Sequence, residues 1–244
     1  MSFSLKGKNA LVTGSSRGIG RAIAERLAAD GATVIINYNR NAKEAETLVK
    51  AIEGKGGKAV AIQADIAKPS DIKRLFEGAI KAVGDLDIVV ANAGVFLGKP
   101  LAESTEEDYD YVFNINTKGV FFTLREAALR VRDGGRIIVV SSAGTKMRFP
   151  NASIYMGSKG AVEQFVRSLS GEIGSRQVTV NVLSPGFTDT DMLDNEEART
   201  LGTSLSPFSR LGTAEEVADV TAFLASDEAR WVTGQNIQAN GGVA

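Results

Sequence analysis

The sequence predicts a doubly wound α/β fold, a parallel sheet of about seven strands with helices on both faces. Three observations carry this. Short apolar runs alternate with longer amphipathic segments along the chain. The apolar runs are near-continuous rather than alternating, as in strands buried on both faces. No linker, internal repeat or composition shift divides the chain, so residues 1–244 read as a single domain.

Residues 10–12 form the first expected strand. A glycine turn follows at Gly14, Gly18 and Gly20, then a helix over 21–27 with Ile19, Ile23 and Leu27 on one face. Residues 32–37 are the second strand, and 42–53 an amphipathic helix ending before Gly54. Strand 59–64 is closed by Asp65, and Pro69 marks the start of a helix over 70–83. Strand 87–91 runs into Asn92-Ala93-Gly94. A long helix spans 106–131, a fifth strand 136–141 and another long helix 153–175. Strand 178–183 stops at Ser184-Pro185-Gly186, and helix 214–225 precedes a short strand at 236–239. The least regular stretch, 187–210, is expected to be a mobile lid over the crevice at the strands' carboxyl ends.

Composition excludes much chemistry. Formal net charge is −1, which points to neither nucleic acid nor an anionic membrane as partner. No window approaches ~18 unbroken apolar residues, and the N-terminus lacks a signal-peptide core, so a cytoplasmic protein is expected. The sequence holds no Cys and no His. A thiolate nucleophile, a His base, a Ser-His-Asp triad and a Cys/His zinc site are all ruled out, and no metal is expected. Catalytic protons must move through Tyr, Lys, Ser, Asp or Glu.

The strand, glycine turn and helix at 10–27 make a phosphate site. Glycine lets backbone pass close to a pyrophosphate, and free N–H groups at the helix start favour an anion. The spacing is G-x-x-x-G-x-G rather than the usual dinucleotide fingerprint G-x-G-x-x-G. Alone, such a turn is often only a tight turn.

Further motifs accompany it in order. They are Thr13-Gly14-x-x-x-Gly18-x-Gly20, Asn92-Ala93-Gly94, Asn116 in the long helix, Ser142 with Tyr155-x-x-x-Lys159, and Pro185-Gly186. Together they resemble the short-chain dehydrogenase/reductase family from near Lys6 to the C-terminus. The resemblance implies a Rossmann-type sheet, a nicotinamide cofactor and catalysis by Asn116, Ser142, Tyr155 and Lys159. Its cofactor positions fall on Gly14, Ser15, Ser16, Arg17, Gly18, Ile19 and Gly20, then Tyr38, Asn39 and Arg40. Asp65 and Ile66 fit the adenine edge, and Asn92, Ala93 and Gly94 the ribose. Pro185, Gly186, Thr188 and Thr190 lie near the carboxamide, with Tyr155 and Lys159 also touching the cofactor.

Bacterial 3-oxoacyl-carrier-protein reductases and neighbouring ketone reductases look most similar, through Asn181-Val182-x-x-Pro185-Gly186 and Ala239-Asn240-Gly241-Gly242. In carrier-protein reductases the turn before the fifth strand is usually basic. Here it reads Asp133-Gly134-Gly135, although Arg176 remains. A carbonyl reductase acting on a small-molecule ketone or aldehyde is therefore expected first, and a carrier-protein reductase second. A non-catalytic NADP-sensing protein is disfavoured, because both Tyr155 and Lys159 are present.

Tyr155 and Lys159 are four apart and share a helix face. A neighbouring ammonium is expected to lower the phenol's pKa from its usual ~10, readying it to exchange a proton with a substrate oxygen. Ser142 is expected to steady that oxygen. Ser141, its neighbour, faces the other way and is expected to be satisfied by backbone. Asn116 is implied to hold a water that links Lys159 to solvent, while Asn114 is structural. The pocket is expected to draw on Phe96, Leu97, Met147, Phe149, Phe187, Met192 and Phe208, which favours a hydrophobic carbonyl. Lys146 and Arg148 read as solvated. Apolar surface at Val120, Phe121, Phe122, Leu124, Phe165, Val166 and Leu169 predicts a symmetric homotetramer.

The second strand ends in Asn37-Tyr38-Asn39-Arg40, with no acid to bond a ribose 2′-hydroxyl. Arg17 and Arg40 suit a 2′-phosphate, so NADP(H) is expected over NAD(H). Steady-state rates with each cofactor should favour NADPH, and Arg17→Ala and Arg40→Ala should each erode the preference about tenfold. Equal use of NADH by the unaltered protein contradicts this.

Overall fold

The computed structural model describes residues 3–244. Seven strands form one sheet: β1 (Asn9–Val12), β2 (Thr33–Tyr38), β3 (Lys58–Gln63), β4 (Leu86–Ala91), β5 (Val131–Val140), β6 (Thr179–Pro185) and β7 (Asn236–Ala239). Their order is β3-β2-β1-β4-β5-β6-β7, and each neighbouring pair is parallel. After β3 the chain crosses back to start the second half beside β1. A crevice opens where connections leave β1 and β4 in opposite directions.

Successive strand residues feed two cores. Ala10, Val12, Val34 and Ile36 face α1 (Gly18–Ala29), α2 (Ala42–Gly54) and α8 (Ala214–Ala225). Leu11, Ile35 and Val89 face α3 (Pro69–Val83), α5 (Val120–Arg130) and α6 (Ser153–Glu172). Both faces of the central strands are covered by helices, so most of their positions are apolar and the runs are near-continuous.

The long helix expected over 106–131 is interrupted. α4 (Glu106–Phe113) starts with a capping box between Thr105 and Asp108, and it joins α5 through a π-helical turn, Asn114–Gly119. The extra residue in that turn carries Asn116 toward the crevice. Val131, expected to end the helix, instead begins β5 and pairs with Leu86 across an irregularity in the ladder.

The 187–210 stretch, expected to be irregular, contains a helix, α7 (Glu196–Leu205). The Asn195 side chain caps it, accepting from Glu197 and Ala198 N–H at 2.8 and 3.2 Å. Asn-Glu-Glu is an N-terminal helix signal, but the short apolar pattern after it hides the helix. Arg199 ties the helix back to Asp189 at 2.7 Å.

Candidate active site

Thr13 follows β1 and braces the crevice floor. Its hydroxyl accepts from the Asn92 and Ala93 N–H groups at 3.0 and 3.1 Å. The Asn92 amide in turn donates to the Thr13 and Gly14 carbonyls at 3.0 and 3.1 Å. The ends of β1 and β4 are thereby clamped together. A Cβ at Gly20 would lie 2.5 Å from the Asn92 amide nitrogen, so only glycine lets helix α1 start this close. Helix α1 has neither a side-chain cap nor an acid in its first turn, leaving its N–H groups available to an anion.

Asn37, buried on β2, supports the same turn. Its side-chain oxygen accepts from Gly14 N–H at 3.0 Å and its amide donates to the Ala64 carbonyl at 3.2 Å. Ser15 does not reach the crevice. It is fully buried, its hydroxyl donates to the Val12 carbonyl at 2.8 Å, and its N–H bonds the Asn37 carbonyl. The structure thus places Ser15, expected at the cofactor, behind the crevice lining.

Ser16, Arg17, Gly18, Ile19, Tyr38, Asn39, Arg40, Asp65 and Ile66 line one end of the crevice. Arg17 is largely exposed and lies 3.9 Å from Asp191 in the 187–210 stretch. The Asp65 carboxylate serves its own turn, accepting from Ala67 N–H at 3.0 Å and pairing with Lys68 at 3.8 Å. Pro185, Gly186, Thr188 and Thr190 line the opposite wall. The Thr188 hydroxyl donates to the Gly186 carbonyl at 3.1 Å.

Helix α6 delivers Tyr155 and Lys159 to the crevice, beside Ser142 at the end of β5. Lys159 is only 3% exposed, and its ammonium donates to the Val140 carbonyl at 2.9 Å. A Cβ on Gly94 would stand 3.2 Å from that nitrogen, so Gly94 makes room for the cation. Burial pulls the Lys159 ammonium down to about 8. Tyr155 departs from expectation. Burial pushes its phenol up to about 12, opposed by a hydrogen bond with Ser142. The ammonium is 5.8 Å from the phenol ring centre and is turned to the Val140 carbonyl, so it does not offset the desolvation.

Asn116 lies behind the crevice, fully buried. Its side-chain oxygen accepts from Val95 N–H at 2.9 Å, and its amide donates to the Val95 carbonyl at 2.9 Å and the Ser158 hydroxyl at 3.1 Å. Its side chain thus ties the loop after β4 to α6. Ser142 accepts from Gly144 N–H at 3.2 Å. Ser141 also lines the crevice, while its hydroxyl turns to the Glu163 carboxylate at 2.9 Å and the Lys159 carbonyl at 3.3 Å.

Phe96 meets Tyr155 edge-on at 5.0 Å, and Phe149 stacks on Phe187 at 5.9 Å. Met147 and Met192 complete this wall with Tyr111 and Met156, which the sequence did not single out. The crevice encloses about 590 Å³, a size that suits a cofactor and a small substrate. Leu97 and Phe208 do not line it. Phe208 is 69% exposed and lies under the Arg210 guanidinium. Lys146 is exposed and pairs with Glu163, while Arg148 is exposed.

The family model described as "Enoyl-(Acyl carrier protein) reductase" matches residues 14–244. A short chain dehydrogenase of Claviceps purpurea is 44% identical over 257 residues, covering 99% of this chain and 97% of that protein. The chain is a short-chain dehydrogenase/reductase. Another relative, the hydroxynaphthalene reductase-like protein Arp2 of Metarhizium brunneum, is 44% identical, covering 98% of this chain and 96% of its own. A dehydrogenase/reductase of Sinorhizobium meliloti superposes with a TM-score of 0.96 at 39% identity, covering 99% and 97% of the two chains. Angucycline C-6 ketoreductase LanV with bound NADP gives 0.94 at 43% identity, covering 100% and 98%.

Within this short-chain dehydrogenase/reductase, Asn37 and Glu163 shape the site although neither stood out in the sequence. The available signal was a polar residue inside an apolar strand for Asn37, and the four-residue step from Lys159 for Glu163.

Burial of Lys159 has a consequence for stability. Between pH 8 and 10 the unfolded lysine still holds a proton that the folded one releases, so stability should rise with pH there. The rise belongs to Lys159. Urea midpoints across this range should increase for the unaltered protein relative to Lys159→Met. Parallel curves for the two contradict the assignment.

Proposed function

We propose that this short-chain dehydrogenase/reductase uses NADPH to reduce a ketone or aldehyde to an alcohol, and that it runs the reverse reaction with the same groups. The observation that carries the reading is the convergence of Tyr155, Lys159 and Ser142 on one crevice that is also lined by apolar and aromatic side chains. The cofactor fits what is present: a glycine cradle that a Cβ would fill, an α1 start without acids, Arg17 in the glycine turn and Arg40 just past an acid-free β2. Arg17, Gly18, Ile19, Arg40, Asn92 and Thr190 would hold it. Bound NADPH supplies the hydride.

The protein's own groups do the rest. Tyr155 donates its proton to the carbonyl oxygen as charge develops there. The Ser142 hydroxyl bonds the same oxygen and lowers the cost of that charge. Lys159 keeps a positive charge beneath the site, 5.8 Å from the Tyr155 ring centre. Asn116 holds the Val95 backbone so that Phe96 closes on Tyr155 and excludes water.

A hydrophobic ketone suits the wall of Phe96, Phe149, Phe187, Met147 and Met192. The solved structure of landomycin C-6 ketoreductase LanV with bound NADP and rabelomycin, 42% identical and with a TM-score of 0.91, supports this direction. The rival reading, a carrier-protein thioester, needs free basic groups near the turn before the apolar part of β5. Arg176 is instead braced within that turn, on Asp133 at 2.7 Å and the Ala128 carbonyl at 2.5 Å.

The reading includes a homotetramer built on the two long helical segments, α4–α5 and α6. Here the surface is narrower than the sequence suggested, because Val120, Leu124, Val166 and Leu169 are consumed by this chain's own core. Tyr109, Tyr111, Phe121 and Leu129 stay exposed, and Phe121 packs edge-on against Phe165 at 5.4 Å.

NADPH consumption against a panel of free ketones tests the activity. Tyr155→Phe should lower kcat at least about a hundredfold while NADPH binding persists, and full activity in that variant overturns the mechanism. Light scattering should give four times the chain mass, and a monomeric mass refutes the tetramer.

A further inference from the structure

We infer that Glu163 is a positioning residue, one whose carboxylate fixes the Ser142 hydroxyl against Tyr155. The inference rests on the reading of Ser142 given above. Tyr155, Lys159 and Glu163 follow one another at four-residue steps on α6, so they lie along one stripe. The first two reach the crevice. The third turns to the segment that follows β5.

The Glu163 side chain is only 9% exposed. A carboxylate so far out of water is costly unless its oxygens are filled. Oε1 accepts from the Ser141 hydroxyl at 2.9 Å and the Thr145 hydroxyl at 2.7 Å. Oε2 faces the Lys146 ammonium at 3.5 Å. Ser141 and Thr145 flank Ser142 on either side, so one carboxylate grips the chain immediately before and just after it. The Thr145 hydroxyl also lies 2.9 Å from the Ser142 carbonyl, and the Ser141 hydroxyl 3.3 Å from the Lys159 carbonyl. Serine loop and lysine helix are therefore joined through the same few atoms.

Hydroxyls bonded to a carboxylate are held about twice as strongly as those bonded to neutral acceptors. With Glu163 in place, Ser142 has little freedom to turn from Tyr155. The Ser142 bond is also what opposes the rise of the Tyr155 phenol, so its loss should raise the pH at which that phenol ionises. Lys146 is the one ion-pair partner of Glu163 among the described residues, and being exposed it contributes little.

Glu163→Ala, Glu163→Gln and Lys146→Met distinguish the possibilities. Glu163→Ala should cut kcat about tenfold, leave NADPH affinity unchanged and move the basic limb of the kcat profile to higher pH. Glu163→Gln keeps an acceptor oxygen and should recover most of kcat, while Lys146→Met should match the unaltered protein. Amide exchange at Gly144, whose N–H bonds the Ser142 hydroxyl, should quicken in Glu163→Ala. That amide reports on the serine whether or not any chosen ketone is turned over, so failure of the substrate reading stays separate. Normal kcat, an unmoved pH limb or unchanged Gly144 exchange in Glu163→Ala overturns the inference. So does a loss of kcat matched by an equal loss of NADPH affinity.

Discussion

The crevice depends on an ammonium kept out of water. Lys159 has the Val140 carbonyl as its protein hydrogen-bond partner among the described residues, and burial lowers its pKa to about 8. Holding a cation there requires the surroundings to be fitted to it. Gly94 leaves out a side chain where one would press on the nitrogen. Asn116 holds the Val95 backbone in place, and the π turn is what brings Asn116 into reach. The β5 carbonyl supplies the acceptor. Each feature has a local cost in propensity or burial, and all of them converge on the same few ångströms.

A parallel sheet explains why these groups meet. All seven strands end on the same side, so the chain deposits its turns there in succession. The order reverses between β1 and β4, and the connections diverge. Thr13, Asn37 and Asn92 close the gap with side-chain hydrogen bonds to backbone. They turn a topological opening into a rigid floor. The 187–210 stretch is tied to the body by backbone bonds of Phe187 and Asp189 with Gly212, by the Ser206 hydroxyl on the Gly241 carbonyl at 3.3 Å and by the distant pair of Arg17 and Asp191.

Most of the fold was legible because strand burial on two faces leaves one composition available. Most strand positions shift by a residue or two, β5 starts five residues earlier than expected, and β7 and α8 fall where the pattern places them. Helix α7 was missed because only three turns of it exist and its apolar face meets few partners. The π turn was missed because a period of 3.6 absorbs one extra residue without trace. At the site, Gly14, Gly18, Gly20, Tyr155 and Lys159 were legible as spaced residues on expected elements. Ser15, Leu97 and Phe208 were misplaced, since spacing does not say which way a loop side chain turns.

Local chemistry thus settled the alternation of elements, the glycine cradle, the acid-free end of β2 and the exclusion of thiol and imidazole mechanisms, because each follows from residue type and near neighbours. Which oxygen receives the Lys159 ammonium, whether the Tyr155 phenol rises or falls, and which hydroxyls Glu163 gathers were decided by the packing of α6 against β5. Those outcomes hang on distances between atoms far apart in the chain and on how much water the assembled fold excludes, and neither quantity exists until the sheet has closed.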